Sequence, residues 1–171
     1  MYSIDSTTGA LTAIGTPVPT GTSPYATAAR PDGRYVYVLN EISNNISVYA
    51  VNVTSGALTE VPGSPFAAGT DPQALAFDTS GAYLYVANDG SDNLSAYVVN
   101  ASTGALTPQS TATYNTGSGP SAVSIEYLNS GQFLFVANNG GSNNISVFAI
   151  GRNGCIDTGG RIALCRRWQP S

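Results

Sequence analysis

Three stretches carry the strongest pattern of apolar and polar positions in the chain. Gly33 to Asn45 reads GRYVYVLNEISNN, Gly81 to Asn93 reads GAYLYVANDGSDN, and Gly131 to Asn144 reads GQFLFVANNGGSNN. Within each, aromatic and aliphatic residues follow one another for five positions and stop at an asparagine. Side chains alternate along a strand, so Tyr83, Tyr85 and Ala87 share one face, and Leu84, Val86 and Asn88 the other. Both faces are apolar, which predicts a strand covered on both sides. A strand of this kind made three times predicts sheets stacked on copies of themselves.

The flanking patterns predict three further strands per copy. PYATAA from Pro24, PQALAF from Pro72 and PSAVSI from Pro120 put small residues at alternate positions, as a crowded place near an axis requires. Turns with glycine follow, PDG at Pro31–Gly33 and TSG at Thr79–Gly81. After the buried strand come NISVYAV, NLSAYVV and NISVFAI, rich in the β-branched and aromatic residues that strands favour. The turns NVTSG and NASTG lead into ALTEV and ALTPQ. Pro108 has no N–H to give a ladder, so this last strand is predicted at an outer edge.

The period is regular. Pro24, Pro72 and Pro120 lie 48 residues apart, and Asn40, Asn88 and Asn138 lie 48 and 50 apart. Four-stranded units of about 40–50 residues in tandem are the mark of β-propeller blades. A β-solenoid would repeat over roughly 20–30 residues and fits less well. The expected fold is therefore all-β, a partial β-propeller of about three to three and a half four-stranded antiparallel blades. The divisions expected are 1–150 for the propeller part, with 1–23 an outer strand of a truncated blade, 24–71 and 72–119 blades, and 120–150 an incomplete one. Residues 151–171, GRNGCIDTGGRIALCRRWQPS, lack the ALT start and hold both cysteines and the only tryptophan. They read as an aberrant, non-repeat tail that stays out of the last sheet. A seven-blade ring needs about 340 residues at this period, so the chain reads as a fragment.

Composition narrows the function classes. The chain has no lysine and no histidine, and residues 1–150 carry two arginines against nine acids. Phosphate backbones are held by clustered Lys and Arg, so nucleic-acid binding is excluded as an expectation. No apolar run reaches the length of a membrane-spanning helix. Two cysteines make neither a disulfide framework nor a four-ligand zinc site.

YVYVLN, YLYVAN and FLFVAN resemble the YVTN repeat. With the P-x-A-x-A strand and the TGALT turn, residues 1–150 are similar to the lactonase-type seven-bladed propellers, which include 6-phosphogluconolactonase-like proteins. The resemblance implies opening or closing of a lactone ring in a carbohydrate or aromatic-acid pathway, foremost hydrolysis of the 6-phosphogluconolactonase type, with this fragment expected to be inactive. Its alternative is a non-enzymatic surface or secreted propeller that serves as a binding scaffold. It implies an extracytoplasmic place (periplasmic, secreted or surface) over a cytoplasmic one. Expected partners are a small-molecule lactone or glycan, and the chain itself or the missing blades. The matching residues are structural, and no catalytic residue of the family is carried over.

Loops from second to third strands share a face with the loops entering each first strand, and this face usually holds a propeller's site. The candidates there for acid/base work are Glu41, Asp71 and Asp89. Asp89 and Asp92, in NDGSDN, are candidates for a hard cation held through oxygen. No cofactor is expected. The competing reading is that these Asn and Asp residues only build turns. Arg30, Asp32 and Arg34 fall on the opposite rim, where a surface ion pair is expected.

Overall fold

The computed structural model describes residues 2–128, 131–151 and 154–157. Three antiparallel sheets of the expected kind follow one another. The first holds β3 (Pro24–Ala29), β4 (Tyr35–Asn40), β5 (Asn45–Val51) and β6 (Leu58–Glu60), with β7 (Phe66–Ala67) also on β5. The second runs β8 (Pro72–Phe77), β9 (Tyr83–Asn88), β10 (Asn93–Val99), β11 (Leu106–Asn115). The third runs β12 (Pro120–Leu128), β13 (Gly131–Asn138), β14 (Asn144–Ile150), β15 (Ile156–Asp157). Ahead of them, β1 (Tyr2–Ile4) and β2 (Leu11–Ala13) form a hairpin aligned with the third and fourth strands of a blade. Helix among the described residues is one 3₁₀ turn, Asp89–Ser91.

This is a partial β-propeller. The proline-led strands β3, β8 and β12 end their sheets on one side and pack beside one another. Their small residues permit this: Ala26 and Ala74 lie against the two cores. Pro108 sits in β11 at the opposite, outer edge.

The two cores lie between sheets. Tyr35, Tyr37 and Leu39 of the first sheet meet Leu84, Val86, Tyr97 and Val99 of the second. Tyr85, Ala87 and Leu94 of the second meet Leu134, Val136 and Phe148 of the third. The aromatic face of one blade thus covers the aliphatic face of the next, as the alternation predicts. Tyr hydroxyls close these seams: Tyr37 donates to the Gly104 carbonyl at 2.7 Å and Tyr85 to the Gly154 carbonyl at 2.6 Å.

The tail differs from expectation at its start. Ile156 pairs with Ile150 and Asp157 with Ala149, so β15 is the fourth strand of the third sheet. Gly154 takes the left-handed conformation (φ +66°) that Gly56 and Gly104 take in the equivalent turns. Ile156 is buried in the place of Leu106. The stretch GRNG from Gly151 is one residue shorter than NASTG, which hid the match in the sequence, and Gly151 still donates to the Cys155 carbonyl at 2.8 Å as Asn100 does to that of Ala105. The remainder of the expected tail, 158–171, lies outside the described residues.

Candidate functional site

The loop face is assembled by two local devices. In the first, the asparagine ending each buried strand turns inward. Asn88 Nδ2 donates to Asn93 Oδ1 and Ser95 Oγ, both at 2.9 Å, and its Oδ1 accepts from the Gly69 N–H at 3.1 Å. Asn40 and Asn138 repeat the donor pattern to Asn45 and Ser47, and to Asn144 and Ser146. All three asparagines are buried. They brace the hairpin and do not line the face, as the turn-building reading has it.

The second device joins neighbouring blades. Asn44 Oδ1 accepts from the Asp71 N–H, and Asp92 Oδ1 from the Gly119 N–H, each at 2.8 Å. Both acceptors sit in the left-handed region, at φ 54° and 51°. Each points its side chain across the seam to the entry of the next blade.

A signal missed in the sequence belongs to this assembly. Gly21, Gly69 and Gly117 stand three residues before the prolines, at the same 48-residue period. A Cβ on Gly69 would lie 2.5 Å from Asn88 Cγ, and one on Gly21 2.7 Å from Asn40 Cγ. The entry loop can cross the asparagine only without a side chain.

Glu41 is the most positioned of the candidate acids. Its Oε2 accepts from Ser23 Oγ at 3.0 Å and its Oε1 from Gln73 Nε2 at 2.9 Å. Ser23 enters the first blade and Gln73 belongs to the second, so this carboxylate spans a seam and is half-buried there. Asp71 is exposed, with φ 48°, and its carboxylate lies against the Asp89–Ser91 turn. Its carbonyl accepts the Asp89 N–H at 2.9 Å. Asp71 and Asp89 are thus brought together, while Asp92 is turned to the next seam. Among the described residues, no group of three His, Cys, Asp or Glu gathers as a cation site would need.

The arginines lie elsewhere. The expected ion pair with Asp32 forms, but Arg30 is buried and not at the surface. Its Nε donates to the Gly81 carbonyl at 2.9 Å while Nη1 pairs with Asp32. It ties the first blade to the turn of the second, at the rim opposite Glu41. Arg34, in the same turn, is exposed. Among the described residues the loop face therefore carries acids and no cation.

A family model described as lactonase, 7-bladed beta-propeller, matches residues 1–68 and 31–123. No curated protein matches the chain in sequence. Among solved structures, it is similar to a candidate 6-phosphogluconolactonase from Bacteroides fragilis, with TM-score 0.75 and 24% identity over 91% of this chain and 46% of that one. A second such candidate, from Bacteroides uniformis, gives TM-score 0.75 and 18% identity over 91% and 45%. The periplasmic gluconolactonase of Pseudomonas aeruginosa gives TM-score 0.68 and 25% identity over 82% and 39%. The chain spans less than half the length of each of these structures.

Proposed function

The chain belongs to the lactonase family of seven-bladed β-propellers, and on that premise we propose that it supplies the acidic part of the mouth of a lactone-handling propeller. The observation that carries this reading is the Glu41 carboxylate, fixed across a seam by Ser23 and Gln73. Hydrolysis of a ring ester needs a base to take a proton from water and donors for the oxyanion that forms on the carbonyl. Glu41 is the group here with the fixed geometry for the first task, with Asp71 and Asp89 beside it on the next blade.

Charge selects among lactones. A phosphorylated sugar lactone calls for cationic clamps. The described loop face offers only carboxylates, and Arg30 is committed at the opposite rim. The reading is therefore an uncharged polyhydroxy lactone or glycan as ligand, in an extracytoplasmic setting such as that of the periplasmic relative. This chain alone does not hydrolyse 6-phosphogluconolactone.

A second reading, a binding scaffold without catalysis, is favoured by one observation. The amide nitrogens of Asn40, Asn88 and Asn138 and a carboxylate oxygen of Asp92 are engaged in structural hydrogen bonds. The two readings separate in an assay of freshly made gluconolactone and its 6-phosphate, each followed against spontaneous hydrolysis. The expected result is no acceleration of the phosphorylated lactone. Acceleration that disappears in Glu41→Gln, Asp71→Asn or Asp89→Asn would overturn the claim of inactivity and locate the site. Binding of the unphosphorylated lactone, weakened by Glu41→Gln and with no turnover, would favour the scaffold.

A further inference from the structure

The first strand of each four-stranded sheet carries the same irregularity. Its register against the second strand slips between Pro24 and Ala26, between Pro72 and Ala74, and between Pro120 and Ala122. Tyr25, Gln73 and Ser121 are the extra residues, and they are what varies inside a constant proline–x–alanine. A bulge re-aims one side chain out of the pleat, and bulges are common beside functional sites. Gln73 shows the direction. Its Nε2 donates to Glu41 Oε1 at 2.9 Å, on the loop face and across the seam to the preceding blade. Ser121, at the same position of the third sheet, is shorter, and its hydroxyl turns to the Ala137 carbonyl of its own sheet at 3.5 Å.

The contact with Glu41 decides which end of the Gln73 amide is left for a ligand. A carboxylate has no hydrogen to give, so Glu41 accepts on both oxygens, from Gln73 Nε2 and from Ser23 Oγ at 3.0 Å. Gln73 must therefore turn its nitrogen to Glu41, and the end of the amide away from the carboxylate is Oε1, an acceptor. Ser23 has given its one hydroxyl hydrogen in the same way and keeps lone pairs. Both side chains are half-buried, so neither is sealed in a core.

We propose that Gln73 binds the ligand directly, its Oε1 accepting a hydrogen bond from a hydroxyl of the lactone. Glu41, by fixing the amide, makes the mouth select a ligand that donates at that point. This inference rests on the reading of the face as the mouth of a lactone-handling propeller, and it narrows the ligand to a lactone with free hydroxyls. An ether in place of the hydroxyl sets one acceptor against another and leaves Oε1 unpaired.

The test uses the full chain and two probes, freshly dissolved gluconolactone and its tetra-O-methyl derivative, which keeps the ring and its acceptors and has no hydroxyl. Affinity is read by ligand-observed NMR, and a thermal melt verifies the folding of each variant. The unmodified chain should bind gluconolactone about tenfold more tightly than the methylated probe. Gln73→Leu should weaken gluconolactone about fivefold and leave the methylated probe unchanged. Gln73→Met, which keeps the length of the side chain, should do the same and gives a second measurement should leucine disturb the fold. Glu41→Gln frees the Gln73 amide to turn its N–H outward, so binding of the methylated probe should rise. Gluconolactone bound equally by the unmodified chain and by Gln73→Leu or Gln73→Met would overturn the role of Gln73 and leave the mouth reading standing. Equal affinity of the unmodified chain for the two probes would overturn the selection for a donor. No binding of gluconolactone by the unmodified chain would overturn both this inference and the reading on which it rests.

Discussion

Tyr85 has no solvent exposure and ends in a hydroxyl that donates to the Gly154 carbonyl. Truncation to alanine is expected to cost about 3–5 kcal/mol, as for other large core aromatics. Tyr85→Phe should cost about 1 kcal/mol, because Gln109 also donates to that carbonyl and part of its hydrogen bonding survives. Urea denaturation of the two variants checks both figures. Gly69→Ala is expected to cost about 1–3 kcal/mol, since its methyl would meet the braced Asn88 side chain. Asp71 offers a cleaner functional probe. Gly119 holds the equivalent left-handed position, so Asp71→Gly removes a carboxylate while keeping a backbone this fold already uses. If Asp71 acts on a ligand, binding should fall in that variant with the thermal midpoint unchanged.

At the level of the element, the fourth strand of the third sheet is the informative case. β15 has two residues, and Ile156 is buried in the core. Ile156→Ala is expected to cost about 2–5 kcal/mol, read from the denaturation midpoint. An unchanged midpoint would show that the third sheet needs only its first three strands. The first sheet splits the same role in two: β6 and β7 both pair with β5, where β11 pairs continuously with β10 except at one bulge. Short or broken outer strands suffice because the seams, not the outer edge, hold the apolar area.

For the whole molecule, burial pushes the hydroxyls of Tyr37 and Tyr85 well above the ordinary tyrosine value, and those of Tyr83 and Tyr97 upward as well. In the unfolded chain these groups ionise near pH 10. Above that pH the unfolded state has released protons that the folded state keeps, so stability falls as pH rises. Below it the contribution is fully present. The urea midpoint should hold steady up to about pH 9 and drop by pH 11, and Tyr37→Phe with Tyr85→Phe should flatten the drop. The three sheets share their seams, so loosening either should be felt along the whole arc.

The sequence by itself determined the repeating strands, their order within a blade and which of their faces are apolar. Those follow from local alternation and a 48-residue period, and both are written in consecutive residues. The face bearing Glu41, Asp71 and Asp89 was legible for the same reason, since loop order in a blade fixes which turns share an end. What the tertiary structure decided depends on residues far apart in the chain. Only the seam shows that Glu41 is held by Ser23 and Gln73, that Arg30 is buried against the Gly81 turn, and that Asp92 latches Gly119. Ile156 was hidden by a shortened turn that breaks the spacing, and the hydrophobic gain of filling the Leu106 position restores the strand. Side-chain pattern selects the element. The partner across the seam selects which polar groups are spent on structure and which remain free for a ligand.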